Sequence, residues 1–251
     1  MIFQHMSAVH SSYSSSSLPP VFSSLASWPG LVSDVPDQGW CSSSWGVAAV
    51  SVASDRTSIG LGRRVVLSSQ ALLGCREGGC QGGQVERAWK HLRRKGSWSS
   101  SCQASSSSTC PSSCPMYRTQ PAYRVGRVNT AKHRHRREED MMHEMMTQGP
   151  VMAVMQVYTD LFMYRGGVYS RTNLADTIPL GYHAVRIVGW GQEGGNKYWT
   201  VANSWGSHWG ERGYFRIARG DNECRIEEFV LGVWPRKKRI PRKRHFRHRQ
   251  R

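Results

Sequence analysis

The most informative segment of this sequence is Gln38-Gly39-Trp40-Cys41-Ser42-Ser43-Ser44-Trp45. It follows a turn at Asp37 and leads into small and apolar residues, 45–59, which predict a buried helix. Ser44 is therefore expected at the amino-terminal end of this helix. Backbone N–H groups that lack a partner at such an end, together with the helix dipole, favour negative charge. Ser44 is therefore a candidate functional residue.

Two blocks far downstream carry side chains that could act with Ser44. His183 lies in Gly181-Tyr182-His183-Ala184-Val185, and Asn203 lies in Ala202-Asn203-Ser204-Trp205-Gly206. A hydroxyl or thiol, an imidazole and a group that orients the imidazole are the parts of a nucleophilic hydrolase. An amide such as that of Gln38 can donate to an oxyanion. His183, Asn203 and Gln38 are therefore candidates to act together with Ser44.

These blocks resemble the papain-like cysteine proteases, in which the signature C-G-[SA]-C-[WY] is followed far downstream by a histidine and an asparagine, roughly 130–150 positions on. Cys41 matches the first cysteine of the signature, whereas Ser44 stands where the nucleophilic cysteine would be. His183 follows Ser44 by 183 − 44 = 139 positions, and Asn203 follows it by 203 − 44 = 159. The resemblance runs from about residue 18 to residue 234. It implies an α+β, papain-like two-lobe fold with a cleft between the lobes.

The pattern along the chain changes from helices to strands. Predicted helices include residues 85–94 and 138–148, and the second carries four methionines that we expect to fill the core. Predicted strands are residues 151–158, 184–190, 198–204 and 213–218. The expected organisation is a disordered Ser-rich segment at 1–17, a helix-rich lobe at 18–125, a β-rich, β-barrel-like lobe at 126–234 and a polybasic tail at 235–251.

Within the papain-like family, the chain is more similar to the cathepsin B branch than to the rest of the family. It also resembles the tubulointerstitial nephritis antigen-like proteins, matrix relatives of cathepsin B that carry serine at the nucleophile position, through Ala53-Ser54-Asp55-Arg56 and Phe229-Val230-Leu231-Gly232-Val233-Trp234. The resemblance places four residues in the substrate cleft: Gly82, Gly83, Trp205 and Phe229. Phe229 stands where cathepsin B has an acid in its specificity pocket, so a preference for basic residues is not expected there.

Seven cysteines without a metal-like C-x-x-C pair favour disulfides and an oxidising compartment, although free buried thiols would also fit. The resemblance implies the pairs Cys41–Cys80, Cys75–Cys110 and Cys102–Cys114, and leaves Cys224 free. The loop between the last pair is short and has no histidine, so the carboxydipeptidase action of cathepsin B is not expected. We expect no metal and no cofactor.

A serine at position 44 changes the expected chemistry. A papain-type cysteine is held as a thiolate with a pKa of about 3–4, whereas a serine hydroxyl stays protonated and needs concerted base catalysis. Asn203 is neutral, so it stabilises an imidazolium less well than a carboxylate would. We therefore predict a catalytically inactive member of the family that is secreted and binds extracellular matrix or cell-surface partners. A peptidase with weak Ser44-dependent activity is the alternative.

Charge separates the body of the chain from its end. The formal net charge is +17, and residues 235–251 contribute ten Lys or Arg and no acid, which leaves 17 − 10 = +7 for the rest. Such a tail can bind polyanions, and heparan sulfate is the expected partner in an extracellular protein. Nucleic acid is a further alternative, which the disulfides disfavour. A shifted reading frame after Trp234 would also account for the tail.

Three further patterns bear on location and partners. Arg219-Gly220-Asp221 is either an integrin-binding tripeptide or a turn that matches it by coincidence. No apolar run approaches the roughly 20 residues that a membrane span needs. The amino terminus has no apolar signal-peptide region. This conflicts with the disulfides and the expected secretion, so we expect either that the true amino terminus is missing or that the gene prediction is wrong there.

Overall fold

The computed structural model describes residues 18–73, 80–100, 125–130, 137–172 and 178–235. The helices are α1 (Ser24–Ser27), α2 (Ser44–Leu61), α3 (Ser69–Leu73), α4 (Val85–Arg94) and α5 (Arg137–Gln148). The strands are β1 (Phe22–Ser23), β2 (Val125–Thr130), β3 (Val151–Val157), β4 (Val168–Tyr169), β5 (Gly181–Glu193), β6 (Asn196–Ala202), β7 (Tyr214–Ala218) and β8 (Phe229–Pro235). Short 3-10 turns lie at Thr159–Met163 and Glu223–Arg225.

The strands form one sheet in the order β2-β8-β3-β5-β6-β7-β4, and β1 pairs with β5 outside this path. Neighbouring strands are antiparallel except β4 and β7, which are parallel. Strand β5 is central because it pairs with β1, β3 and β6, and its residues 183–191 are buried. His183, near the start of β5, is thereby fixed opposite Met155 of β3.

Helix α2 is buried along most of its length. Its small residues allow close packing, and Ala49 and Ala53 share an apolar cluster with Trp89 of α4 and Leu231 of β8. The helix ends at Gly62, which adopts the left-handed conformation (φ 64°) that glycine adopts without strain. The predicted helix is therefore confirmed, and it begins one residue earlier, at Ser44 itself.

A second core lies between α5 and the sheet. Met141 and Met145 are buried there with Met155 of β3 and Trp199 of β6, so the prediction that the methionines fill the core is confirmed. None of the helices in the described part of the chain combines the length and apolar character that a membrane crossing needs.

The sequence pattern did not predict β1, β2, β4 and β8. β1 and β4 have two residues each, too few for an alternation of polar and apolar side chains to appear. β8 also runs through Pro235, where the tail was expected to begin. The predictions for residues 1–17, for residues 236–251 and for Cys75, Cys102, Cys110 and Cys114 lie outside the described residues, and the proposed lobe boundary at residue 125 stays a prediction.

Candidate active site

Ser44 is the first residue of α2, and its side chain points at the beginning of β5. Ser44 is 9% exposed, and its hydroxyl oxygen accepts a hydrogen bond from the backbone N–H of Ala184 at 3.3 Å. Ala184 follows His183 in β5, so the facing helix and strand bring the predicted nucleophile position and the predicted base together. Within the described residues, Ser44 makes no hydrogen bond with the His183 imidazole.

His183 is oriented by Asn203, as the resemblance to the papain-like proteases implied. Its Nε2 lies 2.8 Å from Asn203 Oδ1. Because that oxygen only accepts hydrogen bonds, Nε2 carries the proton and the other ring nitrogen, Nδ1, keeps its lone pair in the neutral ring. Trp205 lies against the imidazole, with ring centroids 5.0 Å apart. Burial lowers the pKa of His183 to about 4, although the hydrogen bond that His183 donates to Asn203 acts in the opposite direction.

Gln38 is held by two neighbours. Its Nε2 donates to Cys41 O at 2.8 Å, and its Oε1 accepts from the Ser204 hydroxyl. Its backbone N–H also donates to Ser204 O at 2.9 Å. Since a side-chain amide has two N–H groups, one remains for an oxyanion at the start of α2. Ser204 was quoted in the sequence motif without a role, and no pattern identified it as the residue that orients Gln38.

The disulfide Cys41–Cys80 is present, as the resemblance implied. It ties the loop before α2 to the glycine-rich stretch, and the Ser42 N–H donates to Cys80 O at 3.0 Å. A Cβ on Gly83 would lie 2.2 Å from Cε2 of Trp45, so only glycine can pass this close to the indole. Gly82 adopts φ +88°, which also favours glycine. Cys224 is a free, buried thiol whose pKa is raised by desolvation.

Phe229 belongs to an apolar group near the site. It is half-buried, and β-sheet register pairs it with Val154, which also pairs with Ala184. Phe229, Val154 and Val85 pack as partly buried side chains against the α2 core. Phe229, which stands where cathepsin B would have an acid, therefore lies among apolar neighbours. Sequence reasoning missed Val85 and Val154, because only the fold brings them to Phe229.

The Arg219-Gly220-Asp221 tripeptide directly follows the end of β7 at Ala218. Arg219 is 7% exposed, donates to Glu138 and to Gly191 O (3.2 Å), and lies over the Trp199 ring at 5.4 Å. Gly220 N donates to Glu227 at 2.8 Å, and Asp221 is exposed. These contacts give Arg219 a structural role and withdraw its guanidinium from solvent. They support the interpretation of the tripeptide as a turn.

In the described part of the chain, no group of three or more His, Cys, Asp or Glu side chains is arranged to hold a metal ion. The residues gathered around Ser44 are a hydroxyl, a neutral imidazole and two amides. This arrangement can position a peptide carbonyl and donate to its oxygen, which is the geometry of acyl transfer.

A sequence profile of the papain family of cysteine proteases matches residues 23–234. The chain belongs to the papain family. Its α+β fold was predicted as papain-like, and procathepsin B S9 from Trypanosoma congolense confirms this with a TM-score of 0.79 at 37% identity, over 88% of this chain and 78% of the other.

Curated relatives place the chain within this papain family more closely. The tubulointerstitial nephritis antigen-like protein of Mus musculus is 41% identical over 87% of this chain and 55% of its own length. Cathepsin B-like cysteine proteinase 4 of Caenorhabditis elegans is 34% identical over 87% of this chain and 76% of its own length. The chain thus spans about half the length of the antigen-like relative. The predicted similarity to the cathepsin B branch and to the antigen-like proteins is confirmed.

Proposed function

We propose that this papain-family protein does not cleave peptides and acts as a secreted, matrix-associated protein that binds extracellular matrix or cell-surface partners. The observation that supports this most directly is at Ser44. Its hydroxyl accepts from Ala184 N and gives no hydrogen bond to His183 in the described part of the chain. The proton of the Ser44 hydroxyl is therefore not hydrogen-bonded to the His183 imidazole, which would have to remove it.

The electrostatics of His183 support the same proposal. In a Cys–His pair, thiolate and imidazolium stabilise each other, and this raises the pKa of the imidazole and lowers that of the thiol. A neutral serine offers no such charge, and burial lowers the pKa of His183 to about 4. General base catalysis works best when the pKa of the base is near the working pH. At neutral pH, an imidazole of this basicity has little driving force to accept a proton from a hydroxyl.

Hydrolysis of fluorogenic peptides by the full, disulfide-intact chain tests the proposal. Substrates with an apolar residue suited to Phe229 and Val154 should be used. We expect the unaltered chain to match its Ser44→Ala variant, and we expect Ser44→Cys to hydrolyse the substrate. Ser42→Cys is the matched control, because it adds a thiol to the same loop before α2 begins. Hydrolysis by the unaltered chain that is lost in Ser44→Ala would contradict the proposal.

A weak serine-dependent peptidase is the second candidate. Two features of the site favour it. His183 Nδ1 is unprotonated at neutral pH, and Gln38 keeps an N–H for an oxyanion. Such an enzyme should lose its residual activity below pH 4, as His183 becomes protonated. The hydrolysis experiment separates the two candidates, because only the peptidase depends on the Ser44 hydroxyl.

Secretion and polyanion binding are part of the proposal. The Cys41–Cys80 disulfide supports an oxidising compartment. The ten Lys or Arg residues of 235–251 support binding of heparan sulfate, and integrins remain a weaker candidate because Arg219 is buried. Retention on heparin resin should be lost when the chain is ended at residue 234. Equal retention of both forms would assign the binding to the body of the protein.

A further inference from the structure

The solvent-facing side of α4 carries a cluster of positive charges. The buried side chains of this helix are apolar and belong to the α2 core: Ala88, Trp89 and Leu92. Arg87, Lys90 and Arg94 stand three and four positions apart, so they lie together on the opposite side, and all three are exposed. They span about 10 Å along the helix axis. We call these three residues the α4 basic face.

Helix stability accounts for only one of these charges. Arg94 lies in the last turn, where a cation interacts favourably with the helix dipole. Arg87 lies in the first turn, where the same dipole disfavours a cation, and Glu86 is the one acid in α4. Within the described residues, neither Arg87, Lys90 nor Arg94 forms an ion pair. The cluster is therefore unneutralised and repels itself, which a bound anion would relieve.

Neighbouring cations enlarge the positive surface. Arg93 and Lys95 are also exposed, and neither has an ion-pair partner among the described residues. Five exposed cations thus occur within residues 87–95. Lys and Arg side chains arranged along a helix in this way bind a linear polyanion better than a single small anion, because several charges are neutralised at once.

The polybasic tail leaves the fold near this helix. Leu231 of β8 shares an apolar cluster with Trp89 of α4, and β8 ends four residues later at Pro235, about 13 Å along the strand. β2, which pairs with β8 as far as Pro235, also lies beside α4. The ten Lys or Arg residues of the tail follow directly. One extended anion can therefore contact the α4 basic face and the tail together.

The surface of α4 favours a sulfated glycosaminoglycan over other polyanions. Trp89 is 2% exposed, so it offers no ring on which a nucleic-acid base could stack. Leu92 is fully buried and Val85 packs against the core, so the helix lacks the apolar stripe that a bilayer surface requires. The Cys41–Cys80 disulfide supports an oxidising compartment, and extracellular polyanions are mainly sulfated polysaccharides.

We propose that the α4 basic face binds a sulfated glycosaminoglycan, as a second attachment point for the chain that the polybasic tail binds. The inference rests on the proposed function, which places the protein outside the cell and heparan sulfate on the tail. Three cations alone bind too weakly to retain the protein on heparin resin at physiological salt. Once the tail is bound, contact with α4 is intramolecular and adds to the overall affinity.

Binding of the full chain to a heparin dodecasaccharide, measured between about 50 and 200 mM salt, tests the inference. The triple variant Arg87→Gln/Lys90→Gln/Arg94→Gln removes the charges and keeps side chains that favour a helix. We expect it to bind about tenfold more weakly at the lower salt, and to lower the slope of log K against log salt by about two. Unchanged affinity and slope would overturn the inference.

A second triple variant, Arg165→Gln/Arg171→Gln/Arg212→Gln, is the matched control. It removes the same net charge from exposed residues that flank β4 or precede β7, at the opposite end of the sheet from β2 and β8. Because this distance exceeds the screening length, affinity should change less than about twofold. Equal losses in both variants would mean that net charge, and not the α4 basic face, decides binding, which would overturn the inference.

Protection from acetylation tests the unaltered chain, without any substitution. The dodecasaccharide should slow acetylation of Lys90 and leave that of Lys197 unchanged, as mass spectrometry of the digested protein would show. Lys197 is a suitable reference because its side chain is 53% exposed and lies on β6. Unprotected Lys90, or equal protection of both lysines, would overturn the inference.

Other polyanions and the tail are separated in the same measurements. If the α4 variant lost more affinity for single-stranded DNA of equal charge, or for phosphatidylserine vesicles, than for the dodecasaccharide, the assignment to a glycosaminoglycan would be overturned. Equal affinity of the full chain and of a chain ended at residue 234 would contradict the proposed role of the tail. The α4 variant and Lys90 would still decide this inference, so the two failures are distinguishable.

Discussion

The state of His183 is decided by its immediate surroundings. It is 7% exposed, its Nε2 is paired with Asn203 Oδ1, and Trp205 covers the ring. An imidazolium in this place would lose water and gain no anion in return, because Ser44 is neutral and Asn203 is uncharged. The pKa of His183 is lowered to about 4 for this reason. A thiolate at position 44 would supply the counter-charge that the Ser44 hydroxyl does not.

Acid should therefore destabilise the protein through His183. Between its unfolded pKa of 6.5 and its folded pKa of about 4, the unfolded chain binds the additional proton, so stability falls as the pH is lowered through this interval. From pH of about 7 to about 4.5, His183 should contribute a loss of about 2 kcal/mol. Urea unfolding at both pH values measures it. His183→Gln should lose less stability over the interval, and an equal loss would contradict the lowered pKa.

Restoring the thiol should raise the pKa of His183. In Ser44→Cys a thiolate would lie beside the imidazole and stabilise its protonated form, in addition to the hydrogen bond that His183 donates to Asn203 Oδ1. An NMR titration of the ring protons should show His183 titrating above its value in the unaltered chain. Ser44→Ala should leave the titration near about 4. An unchanged pKa in Ser44→Cys would mean that burial, and not the missing charge, decides the state of the imidazole.

At the scale of single residues, the resemblance to the papain-like proteases pointed to Ser44, His183, Asn203 and Gln38, and the structure brings all four to one place. The resemblance could locate them because these side chains lie in distinctive local sequences, and their catalytic roles stay a prediction. It could not assign Ser204 to Gln38 or Val154 to Phe229, since both contacts depend on how distant segments pair.

Helix α2 and the glycine-rich stretch form one structural unit at the scale of elements. The sequence predicted the helix from its small and apolar residues, and the resemblance placed Gly82 and Gly83 in the substrate cleft. It did not reveal why glycine is needed. The reason is the indole of Trp45, which leaves no room for a Cβ at Gly83. The Cys41–Cys80 disulfide holds the two segments at this distance.

Gly83→Ala should therefore destabilise the protein. The new methyl group would lie 2.2 Å from the Trp45 ring, so the indole or the backbone must move. Overpacking of this kind costs about 1–3 kcal/mol. Thermal unfolding of the variant measures the loss. Gly181→Ala is the matched control, because no atom lies within 4 Å of its added Cβ and its backbone is not left-handed, so it should change stability little. An equal loss of stability in both variants would show that the Trp45 indole can move aside at little cost.

Buried charges connect the elements at the scale of the whole molecule. Asp55 and Arg56 are adjacent in α2 and point to different partners. Asp55 pairs with Arg186 of β5 at 2.6 Å, and Arg56 pairs with Glu144 of α5 at 2.6 Å. The partners lie 131 and 88 positions away along the chain. The sequence motif around Asp55 indicated a subfamily, but no local pattern could predict pairs of such separation.

Asp55→Asn should weaken the contact between α2 and β5. Because Ser44 lies on α2 and His183 on β5, their relative position should become less well fixed. Asp55 is fully buried and Arg186 is 2% exposed, so the variant leaves a buried guanidinium without its counter-charge. Such a loss costs about 3 kcal/mol or more. Asp34→Asn is the matched control, since its pair with Arg64 is exposed on both sides and should be worth less than about 1 kcal/mol. Urea unfolding compares the two, and a small effect of Asp55→Asn would mean that Arg186 is held well enough by Ser33 O at 2.8 Å and Asp34 O at 3.2 Å.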